Sequence, residues 1–121
     1  MTALFDPGFI QDGPALEAMR SLGIVSGPLH PHDLSPAKVA MAKATHLLRL
    51  FVDSLVQCTF VSRTINQQAE IVRAVTGWDY TVHEAMRVGE RVATMGRAFN
   101  LREGLTAADD WLTQALPLSH A

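Results

Sequence analysis

Apolar residues recur at three- and four-residue spacing through the middle of the chain, which is the pattern of an amphipathic helix. The clearest run follows Ser35 and Pro36, which suit the N-cap and the first position of a helix. The apolar face that this spacing predicts comprises Ala40, Ala44, Leu47, Leu48, Phe51 and Leu55. The pattern therefore predicts a long helix that begins near residue 36 and buries one face.

Two shorter helices are predicted before and after this one. The first runs from Pro14 to Leu22, where Gly23 can end it. The other runs from Gln67 to Thr76, with Gly77 as the terminating residue. Its inward side chains are predicted to be Ile71, Val72 and Val75.

A fourth helix has the strongest start signal, because Thr81 and Glu84 match the capping box T-x-x-E. The predicted buried face contains Val82, Met86, Gly89, Ala93, Gly96 and Phe99. Glycine is unfavourable inside a helix. Two glycines one heptad apart on this face, Gly89 and Gly96, therefore predict the close approach of another backbone.

Thr106 and Asp109 resemble a second capping box, which predicts a last helix extending to about Ala115 before Pro117. No segment alternates apolar and polar residues as a strand does. We therefore predict an all-α bundle of four to five helices with no sheet. Residues 1–34 are expected to be a lead-in with a short helix and a Pro/Gly-rich loop, and residues 35–121 the helical domain.

Composition narrows the class of protein without naming a function. The chain has 121 residues, 48% of them hydrophobic, and a net charge of −2, which gives no electrostatic reason to expect nucleic acid or an anionic membrane as partner. No apolar run approaches the roughly 20 residues of a membrane span. The first residues lack the basic and apolar regions of a signal peptide, so a cytoplasmic location is expected.

Cys58 is the single cysteine, so no internal disulfide is possible. Its neighbours in VQCTFV are apolar and include no basic residue to activate the thiol. Free cysteines are among the most buried residues, and the sequence pattern favours a buried structural thiol over a ligand or a nucleophile. Asp53, one turn after Arg49, is expected to form an ordinary helix ion pair with it.

The positions of the other polar residues indicate structural roles, not catalytic or metal-binding ones. His30, His32, Asp33 and His46 could be metal ligands, but they lack a fixed ligand spacing such as HExxH. His83 lies in the first turn of a predicted helix and is expected at the surface. Asp109 and Asp110 also lie in a predicted first turn, where the helix dipole stabilises negative charge without any catalytic role. A solvated face of balanced charge is predicted for Arg87, Arg91, Arg97 and Arg102 with Glu84, Glu90 and Glu103.

Three segments in order, DSLVQCTF, AVTGWDYT and GERVATMGRAFNLREGLTAADD, carry a more specific signal. They resemble the C-terminal region of the tungstopterin aldehyde:ferredoxin oxidoreductases, in which the corresponding runs read approximately DSLGLCKF, AVTGWD and GERIWNLERLFNVREG with a following DD pair. The resemblance is close over about half of the chain and extends loosely back to Gly23. It implies a core tryptophan at Trp78 and a helix-ending glycine at Gly77.

The resemblance also implies cofactors. Members of this family bind tungsten or molybdenum through two pterins, next to a 4Fe–4S cluster, and oxidise aldehydes to acids with electrons passed to ferredoxin. The family's D-x-x-G-L-C motif contributes an aspartate that binds a pterin and a cysteine that is the fourth cluster ligand. By resemblance these are Asp53 and Cys58. This chain has Val56 and Gln57 in place of the motif glycine and leucine.

The resemblance leaves several functions open. The chain is expected to be a stand-alone or split C-terminal domain, without cofactor or activity by itself, that acquires tungstopterin and the cluster only with a partner chain. The alternative is a non-catalytic interaction or oligomerisation module derived from that domain. A weaker possibility is a small-molecule site beside Cys58. The expected partner is a second copy of the chain or an oxidoreductase subunit.

Overall fold

The computed structural model describes residues 13–24, 27, 29–30, 32–58, 60–61 and 63–110. Within them lie four α-helices, α1 (Gly13–Ser21), α2 (Pro36–Ser54), α3 (Ile65–Thr76) and α4 (Val82–Arg102), and a 3₁₀ helix (Ala107–Asp110). No strand occurs in the described ranges. The prediction of an all-α bundle is confirmed, whereas the division of the chain at residue 34 stays a prediction.

The start of α2 is fixed by local hydrogen bonds. The Ser35 hydroxyl accepts from the backbone N–H of Lys38 at 3.3 Å, as expected of an N-cap. Asp33 adds two further hydrogen bonds, because its carboxylate accepts from the Ser35 backbone N–H at 2.8 Å and from the Ser35 hydroxyl at 3.0 Å. These bonds, above all the one from the backbone N–H, lower the pKa of Asp33.

The helix α3 begins two residues earlier than the sequence predicts. Thr64 is its N-cap, and a capping box forms in which Thr64 Oγ1 accepts from Gln67 N while Gln67 Oε1 accepts from Thr64 N. The sequence contains the T-x-x-Q signal for this box at Thr64 and Gln67, and Thr64 lies three residues before the predicted start at Gln67. At the other end Gly77 has φ 71°, which confirms it as the left-handed residue that ends the helix.

The capping box of α4 is confirmed, with Thr81 N donating to Glu84 Oε2 at 2.8 Å. This helix packs chiefly on α2. The contact is closest at Gly89, where any Cβ would overlap the backbone carbonyl of Leu47. The predicted close approach of another backbone is therefore confirmed at Gly89. At Gly96, none of the described residues would come within 4 Å of a Cβ.

The core is centred on α2. Its largest fully buried side chains are Phe51 and Met41, and the Tyr80 ring stacks on Phe51 with 5.9 Å between centroids. Burial raises the pKa of the Tyr80 phenol. From α1, Leu16 and Met19 reach the same cluster. The residues before α2 therefore contribute to the core that the main helices share.

Several predicted core positions are wrong. Ala40 is exposed and its neighbour Met41 is buried instead, because the side of α2 that packs inward near its start contains Met41 and Ala44. Val75 is 80% exposed, since α3 buries its first two turns and leaves its last turn outside the core. Phe99 is 60% exposed and Gly96 is exposed, because the last turns of α4 extend past the covering helices among the described residues.

The chain after α4 reverses direction. Gly104 has φ 91°, and Thr106 N donates to Asp109 Oδ2 at 2.7 Å in a local cap. That cap precedes the 3₁₀ helix Ala107–Asp110. The rest of the predicted last helix, as far as Ala115, lies outside the described residues.

Candidate functional site

The helix α2 ends between Asp53 and Cys58, the two residues that the resemblance singles out. Its last residue is Ser54, and Leu55 is the C-cap. The backbone N–H groups of Leu55 and Val56 donate to Val52 O and Asp53 O, each at 3.1 Å, which tightens the end of the helix. In a continued helix the side chains of Asp53 and Cys58 would point about 140° apart, and the end at Ser54 removes this constraint.

Val56 makes the turn in an unfavourable conformation. Its φ is 54°, and it is the one non-glycine residue with positive φ among those described. For a β-branched residue this region costs about 1–3 kcal/mol. Its side chain is 92% exposed, so no burial offsets the strain. The turn therefore forms at the position of the motif glycine, although this chain has valine there.

Asp53 forms the expected ion pair. Arg49 Nε lies 3.0 Å from Asp53 Oδ1 and 3.2 Å from Oδ2. The Asp53 side chain is 50% exposed. An i,i+4 pair in this setting contributes only a few tenths of a kcal/mol. The half-exposed Asp53 carboxylate can therefore accept a further hydrogen bond from another molecule.

The prediction that Cys58 is buried is wrong, because the thiol is exposed. Burial was expected from the apolar neighbours, but the turn at Val56 takes the chain away from the core before residue 58 is reached. The apolar neighbours are themselves outside, with Phe60 92% and Val61 50% exposed. An exposed thiol with exposed apolar neighbours is accessible to another molecule.

Polar contacts hold the segment that contains Cys58. Arg63 Nη1 donates to Gln57 Oε1 at 3.2 Å, which links the two sides of the loop. Val61 N donates to Cys58 O at 3.4 Å. Gln57 therefore has a structural partner that the family's leucine could not bind.

The histidines do not assemble into a metal site among the described residues, in which no group of three or more potential ligand side chains is found. His30 and His32 are 5.7 Å apart between ring centroids, and His30 Nδ1 accepts from the His32 backbone at 3.2 Å. Asp33 serves Ser35. His46 lies exposed on α2 and His83 exposed on α4.

The acidic pair near the end of the described chain has two structural roles. Asp109 accepts from the backbone and hydroxyl of Thr106, and the backbone bond is the main reason that its pKa is lowered. Asp110 binds Arg97 through two parallel bonds, at 2.9 and 2.7 Å. Arg97 is thus an anchor for the returning chain, a role that its place in a charged face did not reveal.

Three further features were not visible in the sequence. Gln68 is buried at 4% exposure, and its Oε1 has no hydrogen-bond partner among the described residues. Trp78, predicted to be a core residue, is 65% exposed, so that prediction is wrong. An open groove of about 460 Å³ runs along α3, lined by Val61, Arg63, Gln67, Glu70, Ile71 and Ala74.

The family model for aldehyde ferredoxin oxidoreductase, domains 2 and 3, matches residues 11–119. This chain belongs to that family. The chain is 32% identical over 84 residues to the tungsten-containing aldehyde ferredoxin oxidoreductase of Pyrococcus furiosus, and 31% identical over 84 residues to that of Thermococcus kodakarensis. No solved structure was found to match it.

The match to these aldehyde ferredoxin oxidoreductases covers 68% of this chain but only 14% of each relative. The chain thus corresponds to a small part of the relatives' length. Within the part of the chain that the structure describes, no helix is long and apolar enough to cross a membrane.

Proposed function

We propose that this chain is a helical domain of an aldehyde:ferredoxin oxidoreductase that completes a cofactor site together with other domains. In this proposal Asp53 binds a pterin and Cys58 is one ligand of a 4Fe–4S cluster. The observation that carries the proposal is the turn at Val56, which ends α2 between the two residues and leaves the Cys58 thiol exposed. A family membership over most of the chain supports it.

The donor set fits a shared site. A 4Fe–4S cluster takes about four thiolates, and this sequence contains one cysteine. Asp53 is half exposed and bound to Arg49 by a weak pair, so its carboxylate oxygens can accept from a pterin N–H. The chain therefore offers one thiolate and one acceptor, and the remaining ligands must come from other protein.

The bound groups would supply the chemistry, with the metal centre oxidising aldehyde to acid and the cluster carrying electrons to ferredoxin. The chain's own residues would bind these groups and fix their orientation. The end of α2 fixes Asp53 on a helix, and the Gln57–Arg63 hydrogen bond restrains the loop that carries Cys58. Exposed Val56 and Phe60 would exclude water around the thiolate once another domain covers them.

The test is anaerobic purification of the tagged chain from its native host, followed by measurement of iron and tungsten. We expect both metals to co-purify. Cys58→Ser should lower the iron content, and Asp53→Asn should lower the pterin and tungsten content. Asp79→Asn, which changes an exposed aspartate in the loop before α4, is the matched control and should change neither. Unchanged iron in Cys58→Ser would refute the role of Cys58.

A second measurement tests whether the chain is complete by itself. Anaerobic incubation of the purified chain with iron and sulfide should give no stable cluster, and the chain should oxidise no aldehyde, because three of about four thiolates are missing. A stable 4Fe–4S chromophore in the monomer would contradict the proposal.

The second candidate function is a protein-interaction or oligomerisation module. Exposed apolar side chains favour it, because Val56, Phe60 and Trp78 are 92%, 92% and 65% exposed. Exposed apolar residues in such numbers often mark protein contacts. Sedimentation of the purified chain should then show a concentration-dependent oligomer. Val56→Ser with Phe60→Ser should abolish it, and a monomer at high concentration would exclude it.

A further inference from the structure

We infer that the open groove along α3 binds the polypeptide that supplies the other ligands of the cluster, and that this contact continues the one over Cys58. The inference rests on the proposed function, which requires thiolates from other protein. It adds the surface of this chain that holds that protein. It also adds the chemistry of the segment that fits there, which is apolar side chains next to a carboxylate.

The groove lies on the side of α3 that faces away from the core. Ile65, Ala69 and Val72 are the apolar residues that α3 buries. At about 100° per residue, the groove residues Ile71 and Ala74 lie on the opposite half of the helix. Among the described residues Ala74 is exposed and Ile71 only partly buried. Apolar residues on a second side of a helix favour a second packing partner.

The groove adjoins the loop that carries Cys58. Two of its lining residues, Val61 and Arg63, belong to that loop. Val61 N donates to Cys58 O at 3.4 Å, and Arg63 Nη1 donates to Gln57 Oε1 at 3.2 Å. A protein that brings thiolates to a cluster bound by Cys58 must lie against this loop. Because the groove starts at the same loop, the covering protein reaches it without a separate site.

One positive charge in the groove has no carboxylate partner. Arg63 is exposed and forms no ion pair within the part of the chain that the structure describes. Its hydrogen bond to Gln57 leaves further N–H groups of the guanidinium available. Glu70, the other charged lining residue, already lies 4.0 Å from Arg73. The segment that fits the groove therefore presents a carboxylate to Arg63 and apolar side chains to the rest of the lining.

The shape of the groove favours a polypeptide over a small molecule. Its volume is about 460 Å³, but it is open to solvent. Small-molecule sites are usually clefts or cavities that enclose most of the ligand's surface. A peptide segment can instead lie in an open groove beside a helix, because the rest of its own domain covers its other side.

The test uses the tagged chain purified anaerobically from its native host, with the co-purified polypeptide identified by mass spectrometry. We expect a polypeptide with roughly three or more cysteines, since the cluster takes about four thiolates and this chain has one. Ala74→Trp places an indole in the groove and should lower the recovery of both polypeptide and iron about tenfold. The matched control is Ala98→Trp, at an exposed position of α4 outside the groove, which should change neither.

Cys58→Ser separates this inference from the proposed function. It should remove iron and leave the polypeptide bound, because the groove is intact. If the wild-type chain carries iron and Ala74→Trp retains the polypeptide as the control does, the groove is not the contact and the proposed function stands. Absence of iron from the wild-type chain would instead contradict the proposed function, and the inference with it. Recovery of only a second copy of this chain would overturn the inference.

Charge variants test the chemistry of the contact. Arg63→Gln should lower recovery of the polypeptide several-fold, because its carboxylate loses the guanidinium. Gln57→Leu removes the hydrogen bond between residues 57 and 63 but keeps the charge, so recovery should stay near that of the wild type. Equal loss in both variants would show that the loop position matters and would contradict the ion pair. Far-UV circular dichroism should match the wild type throughout, since residues 63, 74 and 98 are exposed.

Discussion

The two ends of α2 are stabilised in different ways. At its start, Asp33, Ser35 and the N–H of Lys38 form a closed set of hydrogen bonds among residues close in sequence. At its end, Val56 turns the chain at φ 54° with a side chain that is exposed to solvent. The start is therefore a low-energy local structure, whereas the end carries backbone strain.

This difference shows that the backbone strain lies at one end of α2. A strained residue persists only when surrounding structure determines it, and such residues cluster at functional sites. The strained turn lies between Asp53 and Cys58, and the relaxed start has no candidate role in cofactor binding. The contrast agrees with a function at the end of α2, and five measurements can contradict or sharpen it.

The largest expected effect tests whether the core determines the end of α2. Phe51 is buried one turn before that end, and Tyr80 stacks on it. Phe51→Ala should lower the free energy of unfolding by about 3–5 kcal/mol, because it leaves a cavity. Urea denaturation measures this. Met95→Ala, at a 71% exposed position, is the control and should change it by less than about 0.5 kcal/mol.

The next substitution should also lower the free energy of unfolding, and it tests the start of α2. Ser35→Ala removes the acceptor of the Lys38 N–H and should cost about 1 kcal/mol. Ser35→Asn, which keeps a capping side chain, should retain most of the stability. If both variants unfold at the wild-type urea concentration, the start of α2 does not depend on its cap.

Val56→Gly should instead raise the free energy of unfolding. Glycine adopts φ 54° without strain, which recovers about 1–3 kcal/mol, and its greater freedom in the unfolded chain subtracts about 0.5–1 kcal/mol. We expect a net gain near 1 kcal/mol by urea denaturation. Val56→Ala keeps a Cβ and should gain less. A loss of stability in Val56→Gly would show that the turn is not strained.

Cys58→Ser should have almost no effect on stability, within about 0.5 kcal/mol, because the thiol is exposed. A bulky thiol reagent should label Cys58 in the native protein at a rate close to that in urea. Slow labelling that accelerates only on unfolding would restore the original expectation of a buried thiol.

The smallest effect is the pH dependence of the relaxed start. Hydrogen bonds from Ser35 lower the pKa of Asp33 in the folded chain below its ordinary value of 3.8. Its contribution is therefore fully present above pH 3.8 and is lost as the pH falls through the lower, folded pKa. Titration of Asp33 by NMR should show the lowered pKa, and Ser35→Ala should reduce the shift. An ordinary pKa in the folded chain would contradict the hydrogen bonds.

The sequence by itself determined the features that depend on neighbouring residues. The N-cap at Ser35, the capping box at Thr81 and the glycine turn at Gly77 are all local, since each joins groups within a few residues. The pairing of Arg49 with Asp53 is also local, because one helical turn separates them. The family, too, could be recognised from motifs and their order.

Only the tertiary structure decided which apolar residues are covered. Val75, Phe99 and Trp78 look like core residues by type, yet they are exposed because no described helix lies over them. Cys58 is outside because the chain turns at Val56, and valine gives no sequence signal for a left-handed turn. Burial depends on what packs from elsewhere in the chain, and helical periodicity shows only which faces are available for it.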